Sequence, residues 1–153
     1  MKTKHLNLIS FLILLVIWAF SIYKFTITVG NVPIHWGLYG EPNLYTGRWG
    51  VFIIPVVSTF TCLLLYWVQK HPEFMNIPGN LDESSKGKAQ ELAIRLCSKM
   101  NVLMMLMFAC IGYFAHVGNN KAIIVSTLCL ALICIALPFH TIWKILKMRN
   151  EKA

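Results

Sequence analysis

The chain predicts an all-α integral membrane protein with four transmembrane helices and both termini cytoplasmic. Three observations carry this. Four stretches, 6–23, 51–69, 100–120 and 122–143, hold no Asp, Glu, Lys or Arg, and each approaches the ~20 helical residues needed to cross a ~30 Å hydrocarbon layer. Only 13% of residues are charged, against roughly 25% in a soluble domain. The basic residues are also unevenly placed. Lys2, Lys4, Lys70, Lys86, Lys88, Arg95, Lys99, Lys144, Lys147, Arg149 and Lys152 fall on one side, and only Lys24, Arg48 and Lys121 on the other. The positive-inside rule puts the richer side in the cytoplasm. Helices are the expected form, because lipid offers backbone N–H and C=O groups no partner. The spans fall at about 6–28, 50–68, 100–117 and 122–143. An outer loop covers 29–49 and an inner loop 69–99, within one four-helix bundle over 1–153.

The formal charge of +8 invites a nucleic-acid reading. The cations sit at helix ends and form no long soluble basic segment, so no nucleic-acid partner is expected. Cys62, Cys97, Cys110, Cys129 and Cys134 lie in or beside apolar helices with no CxxC spacing. They read as small apolar side chains rather than a disulfide framework. Lys2 and Lys4 before an apolar run suggest a signal peptide, with Ala19-Phe20-Ser21 as the cleavage site. The run exceeds the usual apolar core of about 7–15 residues, and Trp18 and Phe20 crowd the site, so it is read as the first span.

In the first span Trp18 and Tyr23 approach the outer interface, which favours amphipathic rings. The helix must yield before Val32-Pro33, since a residue preceding proline avoids the α region. Pro55 sits about one turn inside the second helix, where its missing N–H costs little. Ser58, Thr59, Thr61 and Cys62 then mark a face for close helix packing. Two prolines and Pro78-Gly79 break the inner loop, and Ser84 or Ser85 is placed to cap the next helix. From Lys86 to Lys99, Leu92, Leu96, Met100 and Leu103 recur at helical spacing, with Glu91 and Arg95 an i,i+4 pair. This predicts an amphipathic helix at the cytoplasmic surface running toward the third span, its lysines suited to anionic headgroups.

Met100, Met104, Met105 and Met107 are read as adaptable packing rather than copper ligands. Ala109, Gly112 and Ala115 give a close-approach face. Gly118-Asn119-Asn120 can supply positive φ for a tight helix hairpin. Pro138 is expected to kink the fourth helix near the inner interface. No charged residue lies deep in a span, which counts against an ion-coupled carrier.

The outer loop is the part not written for spanning. His35, Trp36, Tyr39, Glu41, Tyr45, Arg48 and Trp49 are candidate ligand-binding residues. Arg48, flanked by Trp49, could clamp an anionic headgroup or a ligand carboxylate; an arginine so placed is more often an interface anchor. His35 and Glu41, with His116 at the same end of the bundle, form a candidate metal set, since two histidines and a carboxylate can hold a catalytic zinc. No HExxH spacing supports it, and the alternative is that His35 and Glu41 bond the loop backbone or pair with Arg48. Gly37, Gly40, Gly47 and Gly50 are assigned to tight turns. No Ser-His-Asp or Cys-His arrangement is legible, so no catalytic residue is assigned and no cofactor is expected beyond that candidate metal. The reading leans away from an enzyme.

Val32-Pro33-Ile34-His35-Trp36, Gly40-Glu41-Pro42, Tyr45, Arg48-Trp49 and Pro55 together resemble the signature of the SdpI-like bacterial membrane proteins. That signature runs Ile-Pro-x-His-aromatic-Asn, Gly-x-x-Asp, an aromatic and a Lys, then a helix with Pro. His71-Pro72 and Asn76-x-Pro78 resemble the inner-loop element of such proteins. Gly37 stands where Asn is usual, Asn43 where Asp is usual and Arg48 where Lys is usual. The resemblance covers about residues 1–100 and implies a protein of the bacterial cell membrane with 29–49 extracellular. It further implies immunity to a secreted toxic peptide. The best-known member type also holds a transcriptional repressor at the membrane, a role that the short inner loops here do not invite. The expected partners are the lipid bilayer and either a toxic peptide or another membrane protein. A homo-oligomer is compatible with the small-residue faces. The competing readings are a metal-dependent enzyme or carrier for a lipid-like molecule and an accessory subunit of a membrane complex.

Overall fold

The computed structural model describes residues 2–37, 39, 41–75, 77, 81, 83–118 and 120–150. Gly40, Asn76, Pro78-Gly79-Asn80, Asn119 and Lys152, on which turn, motif or charge expectations fell, lie outside the described residues. So do the side chains of Ser84 and Arg149. The protein has four helices long and apolar enough to cross a membrane. They are α1 (Thr3–Ile27), α2 (Ile53–Lys70), α3 (Glu83–Val117) and α4 (Asn120–Asn150). A short 3-10 turn, Arg48–Phe52, leads into α2, and a second, Pro72–Phe74, follows it. The 29–49 segment is not simply a loop. It contains an antiparallel hairpin of β1 (Val32–Trp36) and β2 (Pro42–Thr46).

Helices α1, α2 and α3 pack on one another, whereas α4 packs extensively on α3 alone. The arrangement is therefore three plus one. The core cluster takes one buried residue from each of the three, Leu14, Cys62 and Met105. The buried positions of α1 are Ser10, Leu14, Ile17 and Ser21. Those of α2 are Pro55, Ser58, Cys62 and Gln69. Their alternating three- and four-residue steps trace a coiled-coil-like seam. Of the small-residue face expected on α2, Ser58 and Cys62 lie in this seam and Thr59 borders it, whereas Thr61 makes an exposed bond back to the Val57 carbonyl. Gly112 on α3 faces Ile54 of α2, where an added Cβ would sit at 3.8 Å.

Apolar side chains cannot drive helices together in lipid, so the seam depends on packing and interhelical hydrogen bonds. Near the termini, the Gln69 carbonyl oxygen accepts from Asn7 Nδ2 at 2.9 Å and from Ser98 Oγ at 2.8 Å. One side chain on α2 thus ties α1 to α3. Two turns deeper, Asn101 Nδ2 donates to the Cys62 carbonyl at 3.2 Å. Toward the hairpin end, Trp18 Nε1 donates to Thr59 Oγ1 at 2.9 Å. Trp18 was expected at the lipid interface; its N–H instead finds a partner inside the bundle, where Thr59 offers an oxygen.

Helix α3 runs unbroken from the amphipathic segment into the apolar span. Its N-terminus lies earlier than expected, so Ser85 is a buried residue of the first turns and not a cap. Gly118 adopts φ +73° and lets α3 turn into α4. Helix α4 continues through Pro138.

Candidate functional site

Why 32–46 folds as a hairpin is local. Val32, Ile34, Trp36 and Tyr45 favour extended backbone, and Gly30 at φ +90° reverses the chain after α1. The Gly37 N–H donates to the Glu41 carbonyl at 2.8 Å and closes the turn. Pro33 and Pro42 lie in the two strands, which are both edges; proline is tolerated there and blocks pairing with a further chain. Of the glycines assigned to turns, Gly37, Gly47 and Gly50 do not take positive φ. Gly50 provides space instead. A Cβ there would strike Thr46 and lie 2.7 Å from Val32 and 3.2 Å from Ile34. The hairpin is seated directly on the Arg48–Phe52 turn.

The ladder has two irregularities that compensate. Pro33 pairs with Tyr45 and His35 with Leu44, so Ile34 is extra on β1; Trp36 then pairs with Pro42, so Asn43 is extra on β2. Such bulges re-aim side chains. Here they bring His35 Nδ1 to 2.6 Å from Asn43 Oδ1. An amide oxygen only accepts, so Nδ1 is the donor in this contact. Asn43 supplies this orienting bond without adding a charge.

The seven candidate ligand residues separate into groups. His35 and Trp36 line a cleft of about 650 Å³ between the hairpin and the hairpin-end halves of α3 and α4. Its other walls are Ile34, Gly37, Ile111, Ile123, Ile124, Thr127 and Leu128. Arg48 and Trp49 lie elsewhere. The Arg48 guanidinium sits 4.6 Å over the Phe25 ring. Phe25 in turn contacts Trp49 and Phe52, with ring centroids 4.5 and 5.1 Å apart. These residues bind the end of α1 to the 3-10 turn, the anchoring alternative for Arg48. Tyr39 and Tyr45 are exposed, and Glu41 folds its carboxylate over Gly37.

The candidate metal set does not assemble. His116 turns toward Phe20 of α1 at 5.6 Å between ring centroids. Among the described residues no group of three His, Cys, Asp or Glu side chains is placed to hold a metal ion. His35 is bonded to Asn43, and neither His35 nor Glu41 forms an ion pair with Arg48.

The residue missed by sequence reasoning is Thr127. It lies in an apolar helix with no motif around it, and only the packing of α4 against α3 beside the hairpin makes it visible. Trp36 Nε1 and Thr127 Oγ1 are both buried and find no hydrogen-bond partner among the described residues. Leaving a buried polar group unpaired costs about 1–3 kcal/mol. Two such groups in the walls of one apolar cleft are what a ligand with a hydrogen-bonding group would satisfy.

Residues 9–59 match the family described as Domain of unknown function (DUF1648). The matched stretch holds every candidate residue except His116 and Thr127. No curated protein and no solved structure matches the chain.

Proposed function

We propose that this small multi-pass membrane protein recognises a membrane-active peptide at the outer leaflet of a bacterial cell membrane, in the manner of an immunity protein. The observation that carries this reading is the cleft between β1 and the α3–α4 pair. Its walls are mostly apolar, and two of the residues in them, Trp36 and Thr127, carry an indole N–H and a hydroxyl that lack partners among the described residues. An amphipathic peptide brings both complements: apolar side chains for Ile111, Ile123, Ile124 and Leu128, and backbone carbonyls for Trp36 Nε1 and Thr127 Oγ1. The charge asymmetry supports placing the hairpin outside, and the SdpI-like resemblance of the hairpin residues supports immunity as the outcome of binding. His35, held by Asn43 beside Trp36, adds a polar ring at the rim.

The test is a killing curve. Cells lacking the gene are expected to survive at least one membrane-active peptide about tenfold less well than the parent. Thr127→Val keeps shape and Trp36→Phe keeps an aromatic ring while each removes the polar atom, and each is expected to restore protection only in part. Unchanged survival of the deletion strain across a broad peptide panel would sink the proposal.

A further inference from the structure

At the termini end of the bundle, a second cleft of about 180 Å³ opens between α3 and α4. Arg95 and Lys99 face it from α3, His140 and Lys144 from α4. We propose that this cleft binds the phosphate headgroup of an anionic phospholipid.

Arg95 and Lys99 are spaced i,i+4, as are His140 and Lys144, so each helix presents its basic pair on one face. Like charges brought together across a small cleft repel, and an anion between them removes that cost. Among the described residues the only carboxylate paired with any of them is Glu91, 2.6 Å from Arg95, in an exposed bridge of the kind that contributes little. Arg95 keeps further N–H donors for a phosphate.

Depth selects a lipid over a soluble anion. From Lys121 to His140, α4 rises about 29 Å at 1.5 Å per residue, close to the ~30 Å hydrocarbon thickness. The cations therefore lie at headgroup level. Trp143, 62% exposed and in ring contact with His140, is a further interfacial anchor. The remaining wall includes Leu96 and Leu137, apolar surface on which an acyl chain can continue out of the cleft. The cleft is too small for a whole lipid and suits a glycerophosphate. Basic pockets between membrane helices are a recurrent means of holding such headgroups. The proposal is independent of the peptide-binding reading and involves the opposite end of the bundle.

The experiment is native mass spectrometry of the full chain released from neutral detergent, with phosphatidylglycerol and phosphatidylcholine supplied at equal concentration. Phosphatidylglycerol is expected to be retained at least tenfold better, and the preference is expected to fall at least fivefold in Arg95→Gln/Lys144→Gln. Lys99→Gln/Lys144→Gln gives the same reading if the first pair does not fold. Lys86→Gln/Lys88→Gln, which removes the same charge outside the cleft, should keep the preference. Equal retention of the two lipids, or equal loss in the Lys86/Lys88 variant, overturns the site. Displacement of the lipid by millimolar inorganic phosphate overturns the lipid as its occupant.

Discussion

Gly50 carries no side chain, and the hairpin occupies the space that one would need. The atoms nearest its missing Cβ belong to Thr46, Val32 and Ile34, all β-branched and stiff at χ1. They cannot rotate away, so Gly50→Ala must lift the hairpin or displace the 3-10 turn. Overpacking of this kind costs about 1–3 kcal/mol. The expected outcome is a lower melting temperature together with weaker protection, since the cleft loses its hairpin wall. Gly37→Ala meets only the end of the Glu41 side chain, which can swing aside, and should leave melting nearly unchanged. A Gly37→Ala loss as large as that of Gly50→Ala would contradict this assignment of space. At Asn43 the question is orientation. Asn43→Ala frees His35 at an exposed position, so thermal stability should change by less than about 1 kcal/mol. If His35 contributes to recognition, survival under peptide challenge should fall while melting holds. Survival identical to wild type would reduce the His35–Asn43 bond to hairpin geometry.

Between elements, the shared acceptor on Gln69 is the most concentrated interaction in the seam. It is 94% buried and bonded to residues of both α1 and α3. Gln69→Ala removes two interhelical bonds and leaves Asn7 without this acceptor, while Ser98 Oγ keeps the Ile94 carbonyl at 3.0 Å. Interhelical bonds in membranes average about 0.6 kcal/mol, with some near 1.7, so a loss of about 1–3 kcal/mol is expected in a reversible unfolding assay in bicelles. A double-mutant cycle of Gln69→Ala with Ser98→Ala should show positive coupling; strict additivity would mean the bond contributes nothing. How much of this was legible follows from the kind of signal each element gives. The four helices are written as charge-free runs, and the packed face of α2 is visible in Ser58, Thr59 and Cys62. The turn at Gly118 was also readable. The hairpin was not, because its two compensating bulges break the period-2 alternation by which strands are recognised. The Asn7–Gln69–Ser98 tie was hidden too: its members stand 62 and 29 residues apart. In the candidate site, His35 and Trp36 drew notice by composition. Arg48 drew equal notice yet belongs to the aromatic seat under the hairpin. Thr127 drew none, because its importance comes entirely from its neighbours.

For the molecule as a whole, the three-plus-one arrangement separates stability from recognition. Helix α4 supplies none of the core cluster, which is Leu14, Cys62 and Met105. It does supply one wall of both clefts: Ile123, Ile124, Thr127 and Leu128 at the hairpin end, and His140 and Lys144 at the other. A chain ending after Val117 should therefore keep the α1–α3 bundle and lose both binding sites. Cys62, fully buried between the three helices, is a direct reporter. With the other cysteines replaced by serine, a membrane-permeant maleimide should label Cys62 slowly in the full chain and about as slowly in the truncated one. Protection against peptide and preference for phosphatidylglycerol should both disappear in the same truncated protein. Rapid labelling of Cys62 after truncation would show that α4 is needed to hold the bundle closed. Recognition and stability would then share one scaffold, because closing the seam would depend on the same helix that forms the binding walls.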